Sequence, residues 1–231
     1  MLNIAEWQAV RLTILVASVA VLTSLPIAVG IGWLLAKRNF PGKFLLETVI
    51  NLPLVLPPVV TGYLLLVTFG RQGLMGSFLE TAFGLRFVFD WKGASLASAV
   101  VAFPLLVRPI RLAFAAIDQR LVQAARTLGA GPFDAFWTIM LPLARPGILS
   151  GCVLAFARSM GEFGATIMIA GNIPGQTRTV PLMIYSLLDA PGGMEQSVRL
   201  VWASIIIAAA ALFAGELLDR YGRRRLRGAS A

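Results

Sequence analysis

Arg158 and Glu162 stand four residues apart inside a long apolar run. At that spacing they share one helix face and can pair. A charge carried into hydrocarbon costs at least ~2.5 kcal/mol on insertion scales, so each must face the protein interior or water. Two roles stay open. The pair is structural, or Arg158 faces a path that an anion takes and helps it pass. Tight binding is not expected, because conduction favours sites that release what they hold. Other chemistry is excluded by residue type. The chain has no His and a single Cys152 within an apolar run, so His acid–base catalysis, a disulfide framework and a thiol metal site are ruled out. There are no paired carboxylates at depth and no Ser–Lys dyad, which ranks an intramembrane enzyme last. No cofactor and no metal are expected.

A second constellation is "QAARTLGAGPFDAFWTIMLPLARPG", residues 123–147. Leu121, Ala124, Ala125 and Leu128 fall at i, i+3, i+4 and i+7, one apolar stripe on a short helix. Gly129 sits where a helix C-cap glycine belongs, and Pro132 at the first position of a second helix. There Phe133, Phe136, Trp137 and Met140 form another stripe. Pro142 is expected to end it, and Arg145-Pro146-Gly147 to turn the chain back toward the membrane. Such a hairpin either lies on the bilayer surface or offers an amphipathic helix to a groove on a soluble partner.

These residues must be held by spanning helices. The chain has 231 residues, 58% apolar and only 13% charged, with mean hydropathy +0.80. Soluble domains are about half apolar and a quarter charged. The reading is an all-α polytopic membrane protein with five transmembrane helices: Leu12–Ala36, Leu45–Phe69, Ala94–Ala116, Ile148–Gly171 and Leu200–Leu218. The first lacks a basic n-region and is too long for a signal core, so it is expected to be retained. Pro181–Leu188 is too short to cross and should lie at the interface or re-enter. Pro53, Pro57 and Pro58 interrupt the second span, with Thr61-Gly62 just after. Either they kink it, or Pro57, Pro58 and Thr61 line a cavity, where irregular backbone is tolerated.

Thirteen Lys/Arg flank one set of span ends and six the other. The positive-inside rule then puts the N-terminus outside, with residues 117–146 and the basic tail 220–231 in the cytoplasm. The net charge of +9 is thus a topology signal rather than a nucleic-acid footprint.

"QAARTLG", nine residues, then "IMLP" resembles the EAA loop of binding-protein-dependent ABC importer permeases. Ala124, Ala125, Gly129, Ile139, Leu141 and Pro142 match that pattern, and Gln123 replaces its usual Glu. "NLPLVLPPVVTGYLLL" and "FARSMGEFGATIMIAGNIPGQTRTVPLMIY" are similar to the oxyanion branch of the family, molybdate permeases first and sulfate/thiosulfate permeases somewhat less. The resemblance implies a type-1 transmembrane domain over 10–219, with a cytoplasmic coupling-helix loop that seats in a cleft of a separate ATP-binding subunit. Gln123, Ala124, Ala125, Gly129, Phe133, Phe136, Trp137 and Pro142 would form that contact. It also implies an extracytoplasmic oxyanion-binding protein meeting residues 71–92 and 172–199, and a place in a bacterial inner membrane. The chain has no G-x-x-x-x-G-K-[ST], so ATP hydrolysis is expected elsewhere. A two-site ATPase needs two docking loops, which implies a homodimer within membrane lipid. Tungstate or sulfate could replace molybdate as cargo. The rival class is a secondary transporter or channel, which has no need of the punctuated loop.

Overall fold

The computed structural model describes residues 3–228, and the helices among them are joined by short links with no strand. The first, α1 (Ile4–Lys37), begins at a reciprocal capping box. Asn3 Oδ1 accepts from the Glu6 N–H, and Glu6 Oε2 accepts from the Asn3 N–H, both at 2.7 Å. This cap starts α1 eight residues before the expected apolar span. Next come α2 (Lys43–Val55), α3 (Pro58–Phe69), α4 (Leu74–Phe83) and α5 (Trp91–Ala115). They are followed by α6 (Gln119–Thr127), α7 (Pro132–Ala135), a π-helical turn (Phe136–Met140) and α8 (Leu141–Met160). The chain closes with α9 (Gly164–Ala170), α10 (Val180–Leu188) and α11 (Gly193–Gly228).

Four helical runs are long and apolar enough to cross a bilayer: Ile4–Lys37, Trp91–Ala115, Pro132–Met160 and Gly193–Gly215. The pair α2 and α3 is together apolar and long enough for a fifth crossing, but it is bent by 114° between Val55 and Pro58. Pro57 and Pro58 cannot donate ladder hydrogen bonds, so the break falls where the sequence places them. Residues 45–69 are therefore two helices at a wide angle and not one straight span.

The fourth span differs more. Helix is continuous from Pro132 to Met160, whereas the sequence pattern started the crossing at Ile148. Pro142 does not end the second short helix, and Arg145-Pro146-Gly147 lies inside α8 instead of forming a turn. The π turn explains this. Leu141 N–H bonds back to Phe136 O, and Pro142 then occupies the first turn of α8, where a missing N–H is tolerated. The run stops early, at Met160, and α9 resumes it after Gly161–Phe163.

α1 and α5 pack side by side in the same direction. A Cβ on Gly32 would lie 2.7 Å from Ile110 Cγ2, and Lys37 Nζ donates to Ile117 O at 3.0 Å. α8 runs back between them, with Gly151 against the Leu106 carbonyl. One buried cluster, with Val21, Ala28, Leu106, Ile110, Phe114, Met140 and Ala144, fills the half of the bundle near Lys37. A second, with Val16, Ala94, Ala97, Val101, Ala165 and Ile169, fills the other half. The far end is tied by Arg199 Nη2 on Glu6 Oε1 at 3.0 Å and by the Phe89 N–H on Ile169 O at 3.0 Å. There α10 docks on α1, where Thr13 Oγ1 accepts from the Val180 N–H at 2.8 Å. The backbone of α11 continues into the basic tail as far as Gly228, and residues 229–231 of that tail lie outside the described residues.

Candidate functional site

Two groups of residues carry the candidate chemistry, one at the Lys37 end of the bundle and one at the two helix breaks. At the Lys37 end, Asp118 caps α6 by accepting the Arg120 N–H at 2.9 Å. The helix closes as the sequence requires. Gly129 has φ +93°, the Ala130 N–H reaches Ala125 O at 3.0 Å, and the Gly129 N–H reaches Arg126 O at 3.1 Å. Those are the two bonds of a Schellman cap. Between the caps no α6 residue is buried. Val122 leans on the core, while Leu121, Gln123, Ala124 and Leu128 face outward, Leu128 with 89% of its surface open. Leu121, Ala124 and Leu128 thus form an apolar stripe without a covering element among the described residues.

The aromatic stripe that follows divides in two. Phe133 is 75% exposed, and its ring lies 5.9 Å from that of Trp137, which is also open. Phe136 turns inward. Its ring stacks on Phe114 at 6.0 Å and 23°, and meets Trp33 edge-on at 5.9 Å and 82°. Met140 is buried below it. The period-3.6 pattern was real, but for Phe136 and Met140 the groove it fills belongs to their own bundle. Pro142 is half-buried in the first turn of α8.

At the breaks, Arg158 and Glu162 do pair, with Arg158 Nη1 2.9 Å from Glu162 Oε2. The contact is close but off-line, an ion contact more than an aligned hydrogen bond. Glu162 is 3% exposed, and Arg158 has a third of its side chain open. The other carboxylate oxygen accepts the Ala165 N–H at 2.9 Å. Glu162 thereby satisfies a free donor at the start of α9 while holding the last turn of α8, and so bridges the break. This second role was not read from the sequence, although a Glu just after Gly161 and three residues before Ala165 is the signal for it.

The two breaks meet. A Cβ on Gly62 would fall 2.7 Å from the Ala165 backbone, and one on Gly164 would fall 3.0 Å from Pro58 Cβ. α3 and α9 can approach this closely only because both positions lack a side chain. Pro57 caps α3, Pro58 opens it, and Thr61 is buried one turn later with no hydrogen-bond partner for its hydroxyl. The structure thus brings Pro58 and Glu162 to one locus and places Gln123, Gly129 and Phe133 at the Lys37 end. Also missed by sequence reasoning were the polar ties of α2 to α5, Glu47–Arg111 at 3.0 Å and Asn51–Arg108 at 3.0 Å. The sequence marked these arginines only as topological charge.

At the far end a cleft of about 990 Å³ opens between α3, α4 and the link to α5, with Arg71, Gln72, Glu80, Arg86 and Asp90 on its wall. A separate cavity of about 500 Å³, lined by Thr13, Phe163, Tyr185 and Ile207, lies among α1, α8, α10 and α11.

A helical bundle with broken spans and a capped, outward-facing helix between two apolar runs is the architecture of a multi-pass membrane protein. Residues 28–228 match the family described as "Binding-protein-dependent transport system inner membrane component", and the chain belongs to that family. It is 56% identical over 220 residues to the "Molybdenum transport system permease protein ModB" of Escherichia coli (strain K12), covering 95% of this chain and 96% of that one. Identity to the protein of the same name from Haemophilus influenzae is 53% over 221 residues, covering 96% of each. Permeases named for sulfate transport match at lower identity. Among solved structures, a bacterial ABC transporter involved in the import of alginate superposes with TM-score 0.70 at 17% identity, over 96% of this chain and 80% of that one. That likeness supports the fold.

Proposed function

We propose that the chain is the membrane-spanning subunit of an ATP-driven importer of molybdate, with the transmembrane domain at 10–219, the coupling loop at 117–146 and the tail at 220–231. The observation that carries the mechanism is α6, a helix capped at both ends, buried nowhere, and presenting Leu121, Ala124 and Leu128 outward. Such a stripe is what a groove on a cytoplasmic ATP-binding subunit would cover. Gln123 and Ala125 flank it, Gly129 aims it, Phe133 and Trp137 form its exposed shoulder, and Pro142 begins the crossing behind it. Hydrolysis belongs to that second subunit. With one such loop per chain, a two-fold pair of chains completes the docking surface.

Cargo reaches the opposite end from an extracytoplasmic oxyanion-binding protein, for which the cleft around Arg71 and Arg86 is the receiving surface. The path passes the meeting point of the breaks, where Pro57, Pro58, Thr61, Arg158 and Glu162 lie. The identity to molybdate-named relatives across nearly the whole chain favours molybdate over sulfate. Tungstate, a tetrahedral dianion like both, would take the same route. The N-terminus is then outside and the C-terminus cytoplasmic, the orientation that thirteen basic residues at one set of ends support.

The test is co-purification. Leu121→Ser with Leu128→Ser should abolish retention of the ATP-binding subunit while membrane insertion is unchanged. Full retention by that double variant would move the docking surface off the α6 stripe, whereas no ATP-binding subunit accompanying the wild-type chain would replace this reading with a channel or secondary transporter.

A further inference from the structure

Between the outward-facing α6 and the crossing α8 lies a π turn, Phe136–Met140, and its first residue is wedged between two other helices. The Phe136 ring stacks on Phe114 at the end of α5 and receives the edge of Trp33 near the end of α1. Trp33 Nε1 is buried without a nitrogen or oxygen partner, so the indole is held by this aromatic packing and not by a hydrogen bond. The ends of α1 and α5 are further locked by Lys37 on the Ile117 carbonyl. Only Ala130 and Gly131 separate the Gly129 cap of α6 from Pro132, so a push on α6 is not absorbed by a slack linker.

A π turn holds one residue more than the α-helix it interrupts. It is a place where the segment before it can rotate against the segment after it without loss of the backbone ladder. We propose that Phe136 and the π turn form a transmission element. Movement of α6 enters the bundle through the Phe136 wedge between Trp33 and Phe114, and the spare residue lets α7 turn relative to α8 as that happens. Phe136 is in this account a positioning residue. The account rests on α6 being the docking helix, yet it assigns Phe136 to a step after docking.

The experiment uses the purified complex of this chain with its ATP-binding subunit and loaded binding protein. Two quantities are read: retention of the subunit, and the ratio of hydrolysis with and without loaded binding protein. Phe136→Leu keeps an apolar side chain but removes the stacked ring. Deletion of Thr138 removes the spare residue and returns the turn to α register while leaving the flanking faces nearly in place, because five residues of a π turn advance about as far around the axis as four of an α-helix. Thr138→Ala is the control, since Thr138 is exposed and bonds only locally to Asp134 O. Both Phe136→Leu and the deletion should retain the subunit, and the ratio should fall about fivefold or more, the low end of a typical coupling. Thr138→Ala should match wild type. A normal ratio in Phe136→Leu overturns the proposal even if the deletion variant fails to insert. Loss of the subunit in Phe136→Leu also overturns it, because the ring would then occupy the partner's groove. Failure of the docking reading shows separately, as retention by the Leu121→Ser, Leu128→Ser chain.

Discussion

Replacing Arg158 by Met isolates what the ion contact at the α8–α9 break is worth. Glu162 would keep its bond to the Ala165 N–H but lose the guanidinium 2.9 Å from its second oxygen. Removing one partner of a fully buried pair costs about 3–5 kcal/mol. Arg158 has 32% of its side chain open, so water shares the screening and the cost falls to about 1–3 kcal/mol. Glu162→Gln retains an oxygen for the Ala165 N–H and surrenders only the charge, which costs about 1 kcal/mol. The double variant buries no unpaired charge and should be more stable than Arg158→Met alone. Two assays read this: thermal unfolding of the detergent-solubilised complex, and molybdate uptake into proteoliposomes holding ATP. A purely structural pair predicts that the double variant recovers both stability and uptake. An Arg158 that serves the anion predicts recovered stability with slow uptake. If Arg158→Met unfolds at the wild-type temperature, the contact does not hold the break and the reasoning fails.

Other perturbations follow from single distances and angles. Gly129→Val places a β-branched residue at φ +93° and costs about 1–3 kcal/mol locally; the chain should insert, but hydrolysis should no longer respond to loaded binding protein. Gly62→Val drives a side chain into the Ala165 backbone, 2.7 Å from where its Cβ would stand. It should lower the unfolding temperature and abolish uptake, and normal uptake would show that α3 and α9 need not touch. Arg199→Met leaves one oxygen of the fully buried Glu6 carboxylate without its cation, while the other keeps the Asn3 N–H, and the mixed exposure of the pair again limits the loss to about 1–3 kcal/mol. Chymotrypsin should then cut sooner after Leu188 or Met194, both exposed near the start of α11, and an unchanged digestion pattern counts against that ion pair as a clasp. A reporter fused after Ala231 should be cytoplasmic and a tag at Met1 external, and the reverse placement sinks the assigned orientation.

Hydropathy located the four long apolar runs and the bent pair, because burial in lipid demands a run of apolar residues whatever the details of the backbone. It could not see the break at Gly161–Phe163, since Glu162 is a single polar residue in an apolar run and its carboxylate is consumed by local bonds. Pro142 misled for a related reason. A proline stops a helix only when the missing hydrogen bond matters, and the π turn before it had already shifted the ladder. Gly129 was legible because a left-handed cap depends on one residue and its immediate neighbours. The Phe136 stripe was legible as a stripe, but periodicity reports that a face is covered and not what covers it. The Asn3–Glu6 capping box was readable in the sequence as Asn-x-x-Glu ahead of an apolar run, whereas the Arg199 partner, 193 residues away, was not.

The contact between Gly62 and Ala165 has a consequence for biogenesis. About a hundred residues of chain separate them, and synthesis at ~5–20 residues per second spaces their appearance by roughly 5–20 s. For that interval α3 has crossed into the translocation machinery with the groove around Gly62 empty, and α2 bends away from it. The four straight runs can partition into lipid one at a time, each satisfying its own backbone. The bent pair cannot finish until α9 arrives. Until residue 164 has been made, the face of α3 around Gly62 has no α9 to cover it, and a slow codon run before that residue would lengthen the exposure.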